Sequence, residues 1–183
     1  MPKSEPKTAY ILLFRGVGGA TQLPTAPLRE ALTGAWFENV ATYINSGNAV
    51  LRSHLAREKV NATAAKICED RFGFTKAIYA PTLEEWDVLI ANNPFPGFKE
   101  GKHVHAVVLA GNPPEGAVEA LREHAVEGEA IEVVDGVAYL HTPSGLGTSK
   151  LGEKFDKGIG VANTARNWNT VLKLQELAKK AAG

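Results

Sequence analysis

Seven consecutive residues, Thr164-Ala165-Arg166-Asn167-Trp168-Asn169-Thr170, put an arginine, two asparagines, two threonines and a tryptophan at the mouth of an apolar helix. A guanidinium can grip a carboxylate or phosphate with two parallel hydrogen bonds. Asn167 or Thr164 can cap the helix, and Asn169 and Thr170 fall in its first turn, whose free amides favour anions. Trp168 can stack on a ligand or anchor the helix in the core. Two readings stand side by side. One is a helix cap with Arg166 bonded to backbone carbonyls or to an acid. The other is a ligand site shared with Thr42, Tyr43, Ser46 and Asn48 from the other half of the chain.

Other stretches offer weaker chemistry. Arg15 precedes Gly16, Gly18 and Gly19, and a glycine loop before a helix can offer amides to a phosphate. The spacing is not the dinucleotide fingerprint. Ser144-Gly145-Leu146-Gly147-Thr148-Ser149-Lys150 has P-loop composition in the wrong order, because a P-loop needs Gly-Lys before its Ser or Thr. It can still bring Ser149 and Lys150 to an anion. Lys150, Lys154 and Lys157 share one helical face beside Leu151 and Phe155, the usual amphipathic pattern. His103 and His105 stand two apart on an expected strand, so both point one way. With no third ligand in spacing, they read as a solvent-facing strand face rather than a zinc pair. Cys68 sits on an apolar helix stripe and reads as a buried, inert thiol. No nucleophile elbow, H-E-x-x-H or Cys-x-x-Cys occurs. Catalytic residues are therefore not assignable, and no cofactor or metal is expected.

The elements that hold these residues follow from periodicity. Ala9 to Phe14 is an apolar, strand-forming run. Leu28, Ala31, Leu32 and Ala35 make one helical stripe, with Pro24 and Pro27 before and at its start. Asn39 to Ile44 and Asn48 to Leu51 form a hairpin around Asn45-Ser46-Gly47. A second helix carries Val60, Ala64, Ile67 and Cys68, and a strand is expected over Phe74 to Tyr79. Thr82 and Glu85 make a capping box for a third helix. Asn92 to Gly97 breaks it. The order then repeats: a strand at His103 to Leu109, and a helix capped by Asn112 with Glu115 closing its box. A hairpin follows around Asp135-Gly136, then a short helix at Leu151 to Phe155, and a final helix over Val171 to Ala178. Matching elements lie about 85 to 95 residues apart, with unlike side chains.

Each half therefore reads as a split β-α-β, ferredoxin-like unit with an antiparallel sheet and helices on one face, an α+β fold. The expected layout is a tail over 1–7, a first unit over 8–92, a linker over 93–102 and a second unit with the C-terminal helix over 103–183.

Composition narrows the function. The chain has 183 residues, 20 basic and 20 acidic side chains and no net charge, which argues against a nucleic-acid coat or a membrane-surface binder. Phe14 and Tyr43 are strand aromatics without an RNA-binding pattern around them. The balance conceals an asymmetry. Seven acids face one base between Asn112 and Asp135, and seven bases face three acids from Thr148 onward. One cysteine rules out an internal disulfide and fits a reducing cytoplasm. No apolar run nears the roughly 20 residues of a membrane span, and Met1 to Lys7 lacks the apolar core of a signal peptide.

Leu13-Phe14-Arg15-Gly16 with Gly18-Gly19, the run Thr42 to Asn48 (TYINSGN), Ser149-Lys150-Leu151, and Thr164 to Thr170 with Lys173-Leu174 resemble the bacterial domain-of-unknown-function family 1697. The resemblance spans about Thr8 to Ala178. It implies two ferredoxin-like units and no assigned reaction. The family tends to a longer glycine loop with an asparagine and a lysine, where this chain has Val17 to Leu23.

Together these features predict a cytoplasmic protein that binds a small anionic or nucleotide-like ligand between its units. The expected contacts are Arg15, Tyr43, Ser46, Asn48, Lys150, Arg166, Asn167, Trp168 and Asn169. An enzyme acting on a phosphorylated or nucleotide substrate and a protein-interaction module are the alternatives. Oligomeric state is left open.

Overall fold

A computed structural model describes residues 5–17, 22–44 and 47–183. The chain divides into two compact units, Met1–Val88 with Lys173–Gly183, and Leu89–Leu172.

The first unit runs β1 (Thr8–Phe14), α1 (Thr25–Gly34), β2 (Glu38–Thr42), β3 (Asn48–Ser53), α2 (Arg57–Phe72), β4 (Ile78–Tyr79) and the start of α3 (Leu83–Ala91). Its antiparallel sheet has the order β2-β3-β1-β4. Alternation along β1 sends Tyr10, Leu12 and Phe14 to one face, where they bury against Leu28 and Leu32 of α1 and Val60, Ala64 and Cys68 of α2. Ile11 and Leu13 occupy the opposite face.

The second unit repeats the plan with β5 (Val104–Leu109), α4 (Ala117–Arg122), β6 (Ala130–Val134), β7 (Val137–His141), α5 (Lys150–Gly158), β8 (Asn163–Asn167) and the start of α6 (Trp168–Ala182). The sheet order, β6-β7-β5-β8, is the same. Val107 and Leu109 bury with Leu121 of α4 and Leu151 and Phe155 of α5. Two split β-α-β units with antiparallel sheets, as periodicity predicts, are thus present.

The repeat extends to single hydrogen bonds. Phe14 N–H donates to Gly47 C=O and Arg15 N–H to Ala77 C=O. Their counterparts are Leu109 N–H to Gly136 C=O and Ala110 N–H to Ala162 C=O. Cross-strand register puts Asn48, Leu13 and Tyr79 in one row of the first sheet and Val137, Val108 and Thr164 in the matching row of the second.

Local signals account for most boundaries. The Thr82–Glu85 box forms both ways: Thr82 N–H donates to Glu85 Oε2 at 3.0 Å, and Glu85 N–H to Thr82 Oγ1 at 3.2 Å. Asp135 and Gly136 both adopt positive φ (47° and 77°), as the two central residues of a type I′ hairpin turn must. Three expectations are corrected. Of Phe74 to Tyr79 only Ile78–Tyr79 pairs with β1. Helix α4 is capped neither by Asn112 nor by Glu115; it starts after Gly116, whose φ is 82°, with no side-chain cap. Pro114 lacks one of the two N–H groups that an Asn112 cap could bond. His103 closes a 3-10 turn before β5 rather than opening the strand.

Candidate functional site

The residues expected to bind a ligand fall into two groups, one per unit. In the second unit, Arg166 lies in β8 opposite Ala106 of β5, on the sheet face away from α4 and α5. Its Nη1 donates to Thr164 Oγ1 and Ala165 C=O, each at 2.7 Å. Burial lowers its pKa to about 10. Asn167 Oδ1 accepts from Thr170 N–H at 3.0 Å, so Asn167 is the cap of α6. Trp168 is 4% exposed and packs edge-on to Phe98 and against Tyr139. The Tyr139 hydroxyl donates to Leu89 C=O at 2.6 Å, and burial, with Asp135 adding repulsion, pushes its pKa up to about 12. The Asn169 amide fills the space beside Gly101, where a Cβ would overlap it. Lys150 is exposed at the first position of α5, on the other side of the sheet from Arg166. Ser149 caps that helix through Gly152 N–H. The second unit therefore does not bring Lys150 and Arg166 together.

In the first unit, the register gathers side chains at the C-terminal end of β1. Tyr43 N–H donates to Asn48 C=O, and Asn48 Nδ2 donates back to Tyr43 C=O at 3.2 Å. The hairpin glycine, Gly47, is pressed on β1: a Cβ there would lie 2.8 Å from Phe14 Cβ and Val17 Cγ2. Asn48 is buried, and Tyr43 and Arg15 are half-buried. Ser46, with Asn45 and the glycines Gly18 and Gly19, lies outside the described residues. Thr42 donates its hydroxyl to Thr25 C=O at 3.1 Å.

Tyr79 joins this end, paired with Leu13. Its hydroxyl is buried and has no hydrogen-bond partner among the described residues. Burial raises its pKa, and the Arg15 charge pulls the other way, so the guanidinium acts on the phenol. Lys76 lies alongside, with its side chain 3.5 Å from where a Gly16 Cβ would be. Sequence reasoning misses both residues, because the strand they close pairs over only two positions.

The two histidines fall in different elements, His103 in the 3-10 turn and His105 in β5. Among the described residues no group of three His, Cys, Asp or Glu side chains is placed to hold a metal ion. His105, expected to face solvent, instead shares the sheet face of Val107 and Leu109, with Nδ1 buried and without a partner among the described residues. Burial lowers its pKa from 6.5 to about 4. The unfolded chain thus binds the extra proton first, and stability falls as pH drops from about 6.5 toward 4. We expect a loss of about 2 kcal/mol across that window, allowing for partial exposure. Urea unfolding at pH 7 and pH 4.5 measures it, and His105→Leu should remove that part of the slope. Cys68 is buried and its pKa rises to about 11 through desolvation, which makes it a poor nucleophile.

A family model described as "Protein of unknown function (DUF1697)" matches residues 7–139. The chain belongs to this family. The matched stretch includes β1, the Thr42–Asn48 hairpin and Tyr79, and it ends before Arg166. The solved structure of conserved bacterial protein SP0830 from Streptococcus pneumoniae is similar, with a TM-score of 0.70 and 22% identity. The match covers 94% of this chain and 99% of that one. At that identity the likeness shows the fold alone. No curated protein matches the chain. Among the described residues, no helix of this DUF1697 member is long and apolar enough to cross a membrane.

Proposed function

We propose that this protein is a cytoplasmic binding protein for a small anionic ligand, held in the first unit at the end of β1 by Arg15, Tyr79 and the Tyr43–Asn48 hairpin. The observation that carries the reading is the Tyr79 hydroxyl: buried, without a partner among the described residues, and in the field of Arg15. A buried hydroxyl without a partner costs about 1–3 kcal/mol, so such a group calls for a reason. The fold does not supply one. The second unit builds the same backbone hydrogen bonds with Ala110 in place of Arg15, Thr164 in place of Tyr79 and Val137 in place of Asn48. The polar cluster is a departure from the repeat, which supports a ligand rather than architecture.

None of the described residues that the register brings to this end is Asp, Glu or His, the commonest general acids and bases. That favours binding over catalysis. A thermal-shift panel of anionic metabolites should raise the melting temperature of the wild-type protein. Arg15→Ala should weaken the selected ligand by about 10- to 100-fold, the range for a lost charge-assisted hydrogen bond. A panel in which no anion shifts the wild type, or an unchanged affinity in Arg15→Ala, contradicts the reading.

A further inference from the structure

The binding site proposed above is specified only as anionic; resting on that reading, we propose that it selects a doubly charged phosphoryl group and that Lys76 makes the selection. The segment 76–79 runs antiparallel to the end of β1: Phe14 faces Ile78, Leu13 faces Tyr79, and Arg15 N–H donates to Ala77 C=O at 3.0 Å. That register sets Lys76 beside Gly16, next to Arg15. Its methylene stem follows Gly16 at 3.5–3.9 Å from the position a Cβ would take. Gly16, with a φ of 73°, lets the chain turn there.

The groups gathered at this end are hydrogen-bond donors and cations. Arg15 offers a fork of N–H groups, Lys76 an ammonium, and Tyr79 a hydroxyl that lacks an acceptor. Lys76 makes no ion pair among the described residues. The partner that fits such a set is an all-acceptor group of charge near −2. A phosphate monoester carries close to two charges at neutral pH and three acceptor oxygens, whereas a carboxylate carries one charge and two oxygens. In the second unit the positions of Arg15, Lys76 and Tyr79 hold Ala110, Val161 and Thr164, and the glycine persists as Gly111. Two cations are thus added to a turn that folds without them, giving one phosphoryl site per chain.

The test compares three probes by calorimetric titration at pH 7.5 and fixed ionic strength: inorganic phosphate, phenyl phosphate and benzoate. The expected result is that both phosphates bind at least about tenfold more tightly than benzoate, from the second charge near the ammonium. Lys76→Gln, an exposed substitution, should erase that gap by weakening both phosphates more than benzoate. Phenyl phosphate exceeding inorganic phosphate would mark an ester as the ligand, and equality would mark the phosphoryl group alone; either result supports the proposal. Benzoate binding as well as the phosphates, or a gap that survives in Lys76→Gln, overturns the role of Lys76 but leaves an anion site standing. If none of the three binds, the anion site itself is refuted for probes of this size, and this inference falls with it.

Discussion

Replacing Trp168 with alanine should destabilise the protein by about 4 kcal/mol, within the range for deleting a large buried aromatic. The indole is 4% exposed and contacts Phe98 and Tyr139 at ring-centroid distances of 6.2 and 6.5 Å. Its removal leaves a cavity under the first turn of α6 and loosens the ring whose hydroxyl bonds Leu89 C=O at 2.6 Å. In a chain of this length about 4 kcal/mol corresponds to a melting point roughly 8–16 °C lower. Trp36 is the internal comparison. It is 93% exposed, and Trp36→Ala should stay within about 0.5 kcal/mol of wild type. Thermal melts of the two variants check both numbers. If Trp168→Ala melted like Trp36→Ala, a packing role for Trp168 would be refuted.

Gly47→Ala should cost about 3 kcal/mol. Part is backbone: Gly47 sits at φ 77°, where an L residue loses about 1–2 kcal/mol. The rest is contact, since the new Cβ would meet Phe14 Cβ and Val17 Cγ2 at 2.8 Å and Phe14 C=O at 3.0 Å. Overpacking of that kind adds about 1–3 kcal/mol. Gly73→Ala separates the two contributions. Gly73 ends α2 at φ 64°, and a Cβ added there would meet nothing within 4 Å. It should therefore lose only the backbone part, about 1 kcal/mol. Chemical denaturation of the pair measures the difference. The same contact seats the hairpin on Phe14 and Val17, which bracket Arg15 in sequence, so Gly47→Ala should also weaken any ligand held there.

Much of this fold is legible in the sequence because its elements carry local signals. The Thr82–Glu85 box, the Asp135-Gly136 turn and the stripe of Val60, Ala64 and Cys68 each specify structure within a few residues. The Asn112 cap is a false local signal, since Pro114 removes one amide it would bond and the helix starts only after Gly116. The candidate site is harder to read, because it depends on which strands pair. Arg15, Tyr43 and Asn48 are conspicuous by type, but Tyr79 and Lys76 come beside them only through a two-residue strand. Asn167 and Trp168 are equally conspicuous. Their chemistry goes into a helix cap and a packed aromatic cluster, which composition alone does not separate from a ligand site.

Tyr79→Phe gives the most direct test of the anion site, because one substitution should move two readouts in opposite directions. Removing a buried hydroxyl that lacks a partner should stabilise the ligand-free protein by about 1 kcal/mol, a rise of roughly 2–4 °C in melting temperature. The same change should weaken the anion selected in the thermal-shift panel by about tenfold, the worth of one hydrogen bond to a charged group. A variant that melts higher without ligand and binds it less well is the predicted result. A variant that is no more stable, or that binds the anion as tightly as wild type, would contradict an anion site built on Tyr79.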